Sequence, residues 1–126
     1  MRLVVSTMLA VVAVIHLLPL AGVLGGERLA SLYGLPFDEP NLAILMRHRA
    51  VLFGLLGAFL LFAAFRPAYQ PVALIAGFVS VASFLWIAHS TGGYNVQVGR
   101  VFVADVVALA CLVIAAAAYA YARISS

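Results

Sequence analysis

The chain contains no lysine, and only four of its 126 residues are acidic. Charged residues make up 9% of it, whereas soluble chains carry roughly a quarter. A water-facing exterior cannot be covered with so little charge, which excludes an ordinary soluble domain. All seven basic residues are arginines scattered along the chain. Without a basic run or stripe, a nucleic-acid surface is not supported, and no nucleic-acid partner is expected. The single cysteine, Cys111, rules out an intrachain disulfide and the paired-thiol relay of membrane oxidoreductases. It reads as a small packing residue. Also absent are a Gly-rich phosphate loop, G-x-S-x-G and H-E-x-x-H. No recognised catalytic or metal motif remains.

What the chain has instead is four long apolar runs. Hydrophobic residues make up 67% of it, and the mean hydropathy is +1.20. Crossing a bilayer takes about 20 apolar residues, so the chain has room for four crossings and no second domain. The pattern predicts an all-α fold, an integral-membrane up-down four-helix bundle forming a single transmembrane domain over residues 1–126. Helices are expected over about residues 3–24, 41–65, 71–90 and 98–122, with Pro19 bending the first. That first run is longer than the roughly 7–15-residue core of a signal peptide and is read as a membrane helix. The one long connection, residues 25–41, is expected to hold a short interfacial segment near 27–33, then Asp38 or Glu39 as a cap with Pro40 in the first turn. Arg66-Pro67 stops the second helix, and Thr91 to Asn95 is a turn.

Arg2, Arg66 and Arg123 fall on one side of such a bundle, and Arg28 and Arg100 on the other. This bias, three against two, favours both termini in the cytoplasm. Counting Arg47 and Arg49 as loop residues would reverse it.

At about 1.5 Å per helical residue, the polar residues can be placed by depth. His16 lies about 12 Å below the outer end of the first helix, Arg47, His48 and Arg49 about 9–12 Å down the second, and Asp105 about 10 Å down the fourth. Trp86 lies about 6 Å below Ser90, and His89 is at the rim. Antiparallel helices bring these into one outer layer, while the other half is nearly free of ionisable groups. Ala43, Arg47, Ala50, Gly54, Gly57 and Ala64 share a stripe of mostly small residues, the type that marks packing faces in membranes. Arg47 is therefore expected to point into the bundle and Arg49 outward, snorkelling or meeting Asp38 and Glu39. Asp105 lies near the face of Ala104, Ala108, Cys111 and Ala115, and His16 shares a stripe with Ser6, Leu9 and Ala13. Ala73, Gly77, Ser80 and Ser83 mark the inner side of the third helix.

A lone charge in hydrocarbon costs about 2.5–3.5 kcal/mol on insertion scales, so charges at this depth mark a function or compensate one another as a structural lock. His16, near His48 and Asp105, is a candidate proton carrier or ligand contact. His16 and His48 could also ligate a haem iron across the bundle, but the adjacent arginines disfavour a ferric centre unless they meet its propionates. Trp86, Tyr94 and Tyr33 read as an interfacial aromatic belt. Gly22 and Gly26 form a GxxxG spacing at a helix end, a weak pointer to a homo-oligomer.

The run Arg-His-Arg-Ala-Val-Leu-Phe-Gly-Leu-Leu-Gly from Arg47 to Gly57, with Leu-Tyr-Gly from Leu32 to Gly34 before it, resembles an uncharacterised family of small bacterial four-helix membrane proteins within the broader DoxX-like group. Some DoxX-like proteins are linked to quinone-dependent sulfur oxidation. The resemblance therefore implies a quinone-type ligand and, were the chain an enzyme, quinone-linked redox chemistry. The expected function is to hold a lipophilic or amphipathic molecule, a quinone or a lipid head group, against His16, Arg47, His48, Trp86, His89 and Asp105. The bilayer itself is the other partner. The alternatives are an accessory subunit of a membrane complex with no ligand of its own, and a small proton-coupled transporter.

Overall fold

The computed structural model describes residues 2–18, 33 and 40–125. Four α-helices account for nearly all of them: α1 (Arg2–Leu17), α2 (Pro40–Ala64), α3 (Gln70–Thr91) and α4 (Val96–Ser125), with a 3-10 turn at Pro67–Tyr69 before α3. There is no strand among the described residues. Pro40–Ala64, Pro67–Thr91 and Val96–Ile124 are each long and apolar enough to cross a bilayer, and α1 is a shorter apolar helix. The expected interfacial segment before Tyr33, the Pro19 bend, the Asp38 or Glu39 cap and the Gly22–Gly26 spacing lie outside the described residues. α4 starts two residues before the expected Val98 because Asn95 caps it: the Asn95 side-chain oxygen accepts from the Val98 N–H at 2.8 Å. That satisfies one of the donors a helix N-terminus leaves open.

The helices alternate in direction. α1 lies between α2 and α4, and α3 closes the ring against α4 and, less extensively, α2. Arg2, Pro67, Gln70 and Arg123 line one cleft, which places the start of α1 and the end of α4 together at what we term the terminal end. The opposite, loop end carries Leu17, Pro40, Thr91 and Val96.

Small residues let the backbones approach. Ala50, Gly54, Gly57, Ala63 and Ala64 are the buried small residues of α2. Of these, Gly57 meets Ala13 and Leu17 of α1, and Gly77 of α3 meets Leu112 of α4. A Cβ at Gly57 would sit 3.1 Å from the Ala13 carbonyl oxygen and 2.9 Å from Leu17 Cγ, so only glycine permits that crossing. Leu9, Leu60 and Leu112 fill the centre and are fully buried. The outward faces are apolar too: Ile44, Leu55, Ile75, Val79 and Val103 are all more than 60% exposed. A surface of that kind is unstable in water and stable in hydrocarbon.

Both described turns have a local cause. Arg66 precedes a proline and adopts an extended conformation, which ends α2. Buried Gln70 then donates through its side-chain amide to the Ala63 carbonyl at 3.1 Å, tying the start of α3 to the end of α2. At the loop end, Gly92 and Gly93 both have positive φ, 65° and 67°. Glycine adopts that region without a Cβ penalty, and the Gly92 N–H closes α3 on the Ala88 carbonyl.

Candidate functional site

A cavity of about 290 Å³ opens in the loop-end half of the bundle. Its floor is set by α1 and α4. His16 is buried on the face of α1 that carries Leu9, Val12 and Ala13. Asp105 begins the buried stripe of α4 that continues through Ala108, Leu112 and Ala115 at spacings of three and four. α2 contributes Arg49 and Phe53, and α4 adds Gln97, Arg100, Val101 and Ala104. Ile15, Leu18 and Tyr33 complete the wall.

The polar groups are held in different ways. The His16 Nδ1–H donates to the Val12 carbonyl at 3.0 Å. Its Nε2 then accepts from the Ser80 hydroxyl at 2.9 Å, so in the neutral ring both nitrogens are engaged and α1 is tied to α3. Ser83 donates to the Ser80 carbonyl at 3.0 Å. The His16 ring is tilted against Phe53, with centroids 5.6 Å apart. Arg49 lies with its guanidinium carbon 4.4 Å from the Phe53 ring centroid and 5.4 Å from that of Tyr33. It also donates to the Tyr33 hydroxyl at 2.6 Å. Tyr33 is in turn fixed by Asn95, whose side-chain amide donates to its carbonyl at 2.7 Å.

Asp105 is different. It is 7% exposed, interacts electrostatically with Arg49 and accepts no hydrogen bond among the described residues. No fully enclosed side-chain oxygen or nitrogen lacks a partner among the described residues, so the Asp105 oxygens face the cavity. Asp105 and Arg49 stand at the same depth, each nine residues from the loop-end start of its helix, or about 14 Å along the axis. Arg100 is about 8 Å nearer the mouth than Asp105.

Of the six expected site residues, His16 and Asp105 line this cavity and the other four do not. Arg47 and His48 are exposed on α2. The expectation that Arg47 points inward is therefore corrected: Arg49 is the arginine of the cavity. The small-residue stripe misplaced the centre of the buried face, because larger residues define its other flank. Met46, Arg49, Phe53, Leu56, Leu60 and Ala63 run at alternating spacings of three and four and are all partly or fully buried. That series was visible in the sequence and passes through Arg49. Trp86, 73% exposed, and His89, also exposed, lie off the cavity. Tyr33 is not part of an exposed aromatic belt either, since it is buried against Met46, Val98 and Val101. With His48 outside and both His16 nitrogens engaged, the two histidines do not present ligands to one haem iron. Among the described residues, no group of three His, Cys, Asp or Glu could hold a metal ion.

A second, almost wholly apolar slot of about 280 Å³ adjoins the first. Leu42 and Met46 of α2, Phe84 of α3 and Val98 of α4 line it, and it shares Tyr33, Arg49 and Val101 with the cavity. No family model, no curated protein and no solved structure matches this chain.

Proposed function

We propose that this chain is an integral protein of the bacterial inner membrane, with both termini cytoplasmic, that holds the head group of an amphipathic molecule in the loop-end cavity. The observation that carries this reading is the Asp105 carboxylate. It is buried, faces open space beside Arg49 and has no hydrogen bond among the described residues. A desolvated carboxylate in that state is costly unless a donor reaches it, and a bound polar head supplies one. Arg49 and Arg100 offer donors to the ligand, Asp105 accepts from it, and His16 positions Phe53 and α3 rather than carrying a proton. A lipid or quinone-type ligand, as the DoxX-like resemblance implies, agrees with walls that are mostly apolar.

One contact favours a different reading, an accessory subunit whose polar layer only locks the helices. It is the His16–Ser80 hydrogen bond, which cross-ties α1 and α3 without any ligand. The two readings part on a direct measurement. Mass spectrometry of small molecules retained by the gently purified protein is expected to find one amphipathic species, lost in Asp105→Ala. The accessory reading wins if nothing is retained and the paired replacement Arg49→Met/Asp105→Leu is at least as stable as the native chain with its cellular phenotype intact.

A further inference from the structure

Building on the binding site proposed above, we infer that the ligand is a single-chain amphiphile with a net-neutral head carrying both a hydrogen-bond donor and an acceptor. Its head would sit between Asp105 and Arg49 and its chain in the apolar slot between α2, α3 and α4.

The charges of the cavity select the head. Asp105 is more than nine-tenths buried and open to the cavity, so it requires a donor. Arg49 is half-buried at equal depth and needs an acceptor, whereas Arg100, nearer the mouth, is exposed to solvent and selects little. A carboxylate head satisfies Arg49 but meets Asp105 as a like charge. An ammonium head satisfies Asp105 but meets the Arg49 guanidinium. Beside a carboxylate only 7% exposed, either mismatch is expensive. A hydroxyl-bearing, uncharged head satisfies both sides, donating to Asp105 and accepting from Arg49. His16 adds no selection, because its nitrogens are engaged by Val12 and Ser80. The Tyr33 hydroxyl, which accepts from Arg49, holds that guanidinium in place.

The adjoining slot selects the tail. It shares the side chains of Tyr33, Arg49 and Val101 with the head cavity and is otherwise lined by Leu42, Met46, Phe84 and Val98. The slot residues of α2, α3 and α4 are closer to the loop end of their helices than Asp105 and Arg49, or level with them. The head therefore sits deepest and the chain leaves sideways where α2 and α3 pack least. One slot of this size takes one chain.

The test uses three probes with the same chain and different heads, 1-monooleoylglycerol, oleate and oleylamine, titrated against the full-length protein in nanodiscs and read by native mass spectrometry. The glycerol head is expected to bind at least about tenfold more tightly than either charged head. Asp105→Asn should close most of the gap for oleate alone, and Arg49→Gln most of the gap for oleylamine alone. Leu42→Trp, which fills the mouth of the slot, should weaken 1-monooleoylglycerol about tenfold. The comparison of heads on the unmodified chain stands even if a variant fails to fold. Equal binding of all three heads, unaffected by the charge variants, overturns the inference and leaves the binding site standing. A natively retained molecule with net charge at neutral pH does the same. If no probe binds and nothing is retained on purification, both the inference and the proposed function fall.

Discussion

Arg49 is held on three sides by neutral groups: the face of Phe53, the face of Tyr33 and the Tyr33 hydroxyl. A cation–π contact away from water contributes about 0.5–2 kcal/mol, and a hydrogen bond to a charged group about 1.5–3. These contributions overlap, so Arg49→Met is expected to destabilise the folded protein by about 1–3 kcal/mol in detergent. Arg47→Met, two positions away on the exposed face, is expected to cost less than Arg49→Met. Denaturant or thermal unfolding of the two variants in one detergent checks this, and equal effects would argue against Arg49 as the arginine of the cavity. His16 allows a second test at this scale. Its bond to Ser80 joins residues 64 apart in the chain, and hydrogen bonds between membrane helices average about 0.6 kcal/mol in double-mutant cycles. A cycle of His16→Leu and Ser80→Ala should give a coupling of about 0.5–1.5 kcal/mol. A coupling of zero would free His16 for a role in proton transfer.

Single residues also mark how far the sequence could be read. Asp105 was placed on the buried face correctly, because Ala108 and Ala115 share its spacing and no competing stripe crosses α4. On α2 two stripes overlap, one of small residues and one of large. Residues 47 and 49 lie about 160° apart on the helix, so choosing the wrong stripe exchanged one arginine for the other. Tyr33 reads from the sequence as part of an interfacial belt, whereas its hydrogen-bond partners Arg49 and Asn95 lie 16 and 62 residues away and leave no local signal of its burial.

Among the elements, α1 and α2 form the tightest crossing. A methyl at Gly57 meets the backbone oxygen of Ala13, which cannot move without shifting α1, whereas one at Gly77 meets only the Leu112 side chain, at 3.0 and 3.4 Å. Gly99 has nothing nearer than the Tyr94 ring at 3.7 Å. Alanine substitution is therefore expected to cost about 1–3 kcal/mol at Gly57, less at Gly77, and to be near neutral or slightly stabilising at Gly99. Unfolding midpoints of the three variants should follow that order, and a Gly57→Ala variant as stable as Gly99→Ala would contradict the crossing. α2, α3 and α4 are legible in the sequence because each is a long apolar run bounded by proline, glycine or arginine, while the far end expected for the first helix lies outside the described residues. Their packing partners were not, since apolar residues cover the outside as fully as the inside and periodicity fades. Only the small residues carried a facing signal.

For the whole molecule, the distribution of charge has a direction. Arg2 and Arg123 share a cleft at the terminal end, and Arg66 sits at the neighbouring turn, while Arg100 lines the mouth of the cavity at the loop end. Arginines near helix ends are retained on the cytoplasmic side during insertion. With Arg28 counted from the sequence at the loop end, the bias is three against two. Under the topology proposed above, with both termini cytoplasmic, the chamber would lie on the outer side of the membrane and a ligand would enter from the outer leaflet. Reporters active only in the cytoplasm, fused separately to either terminus, are expected to be active at both. Replacing Arg2, Arg66 and Arg123 together by glutamine leaves the loop end as the more basic, and should yield a mixed or inverted population in the same assay. Activity at one terminus alone would be incompatible with four crossings. Activity at neither would turn the molecule over, so that Asp105 and Arg49 face a ligand arriving from the cytoplasmic leaflet.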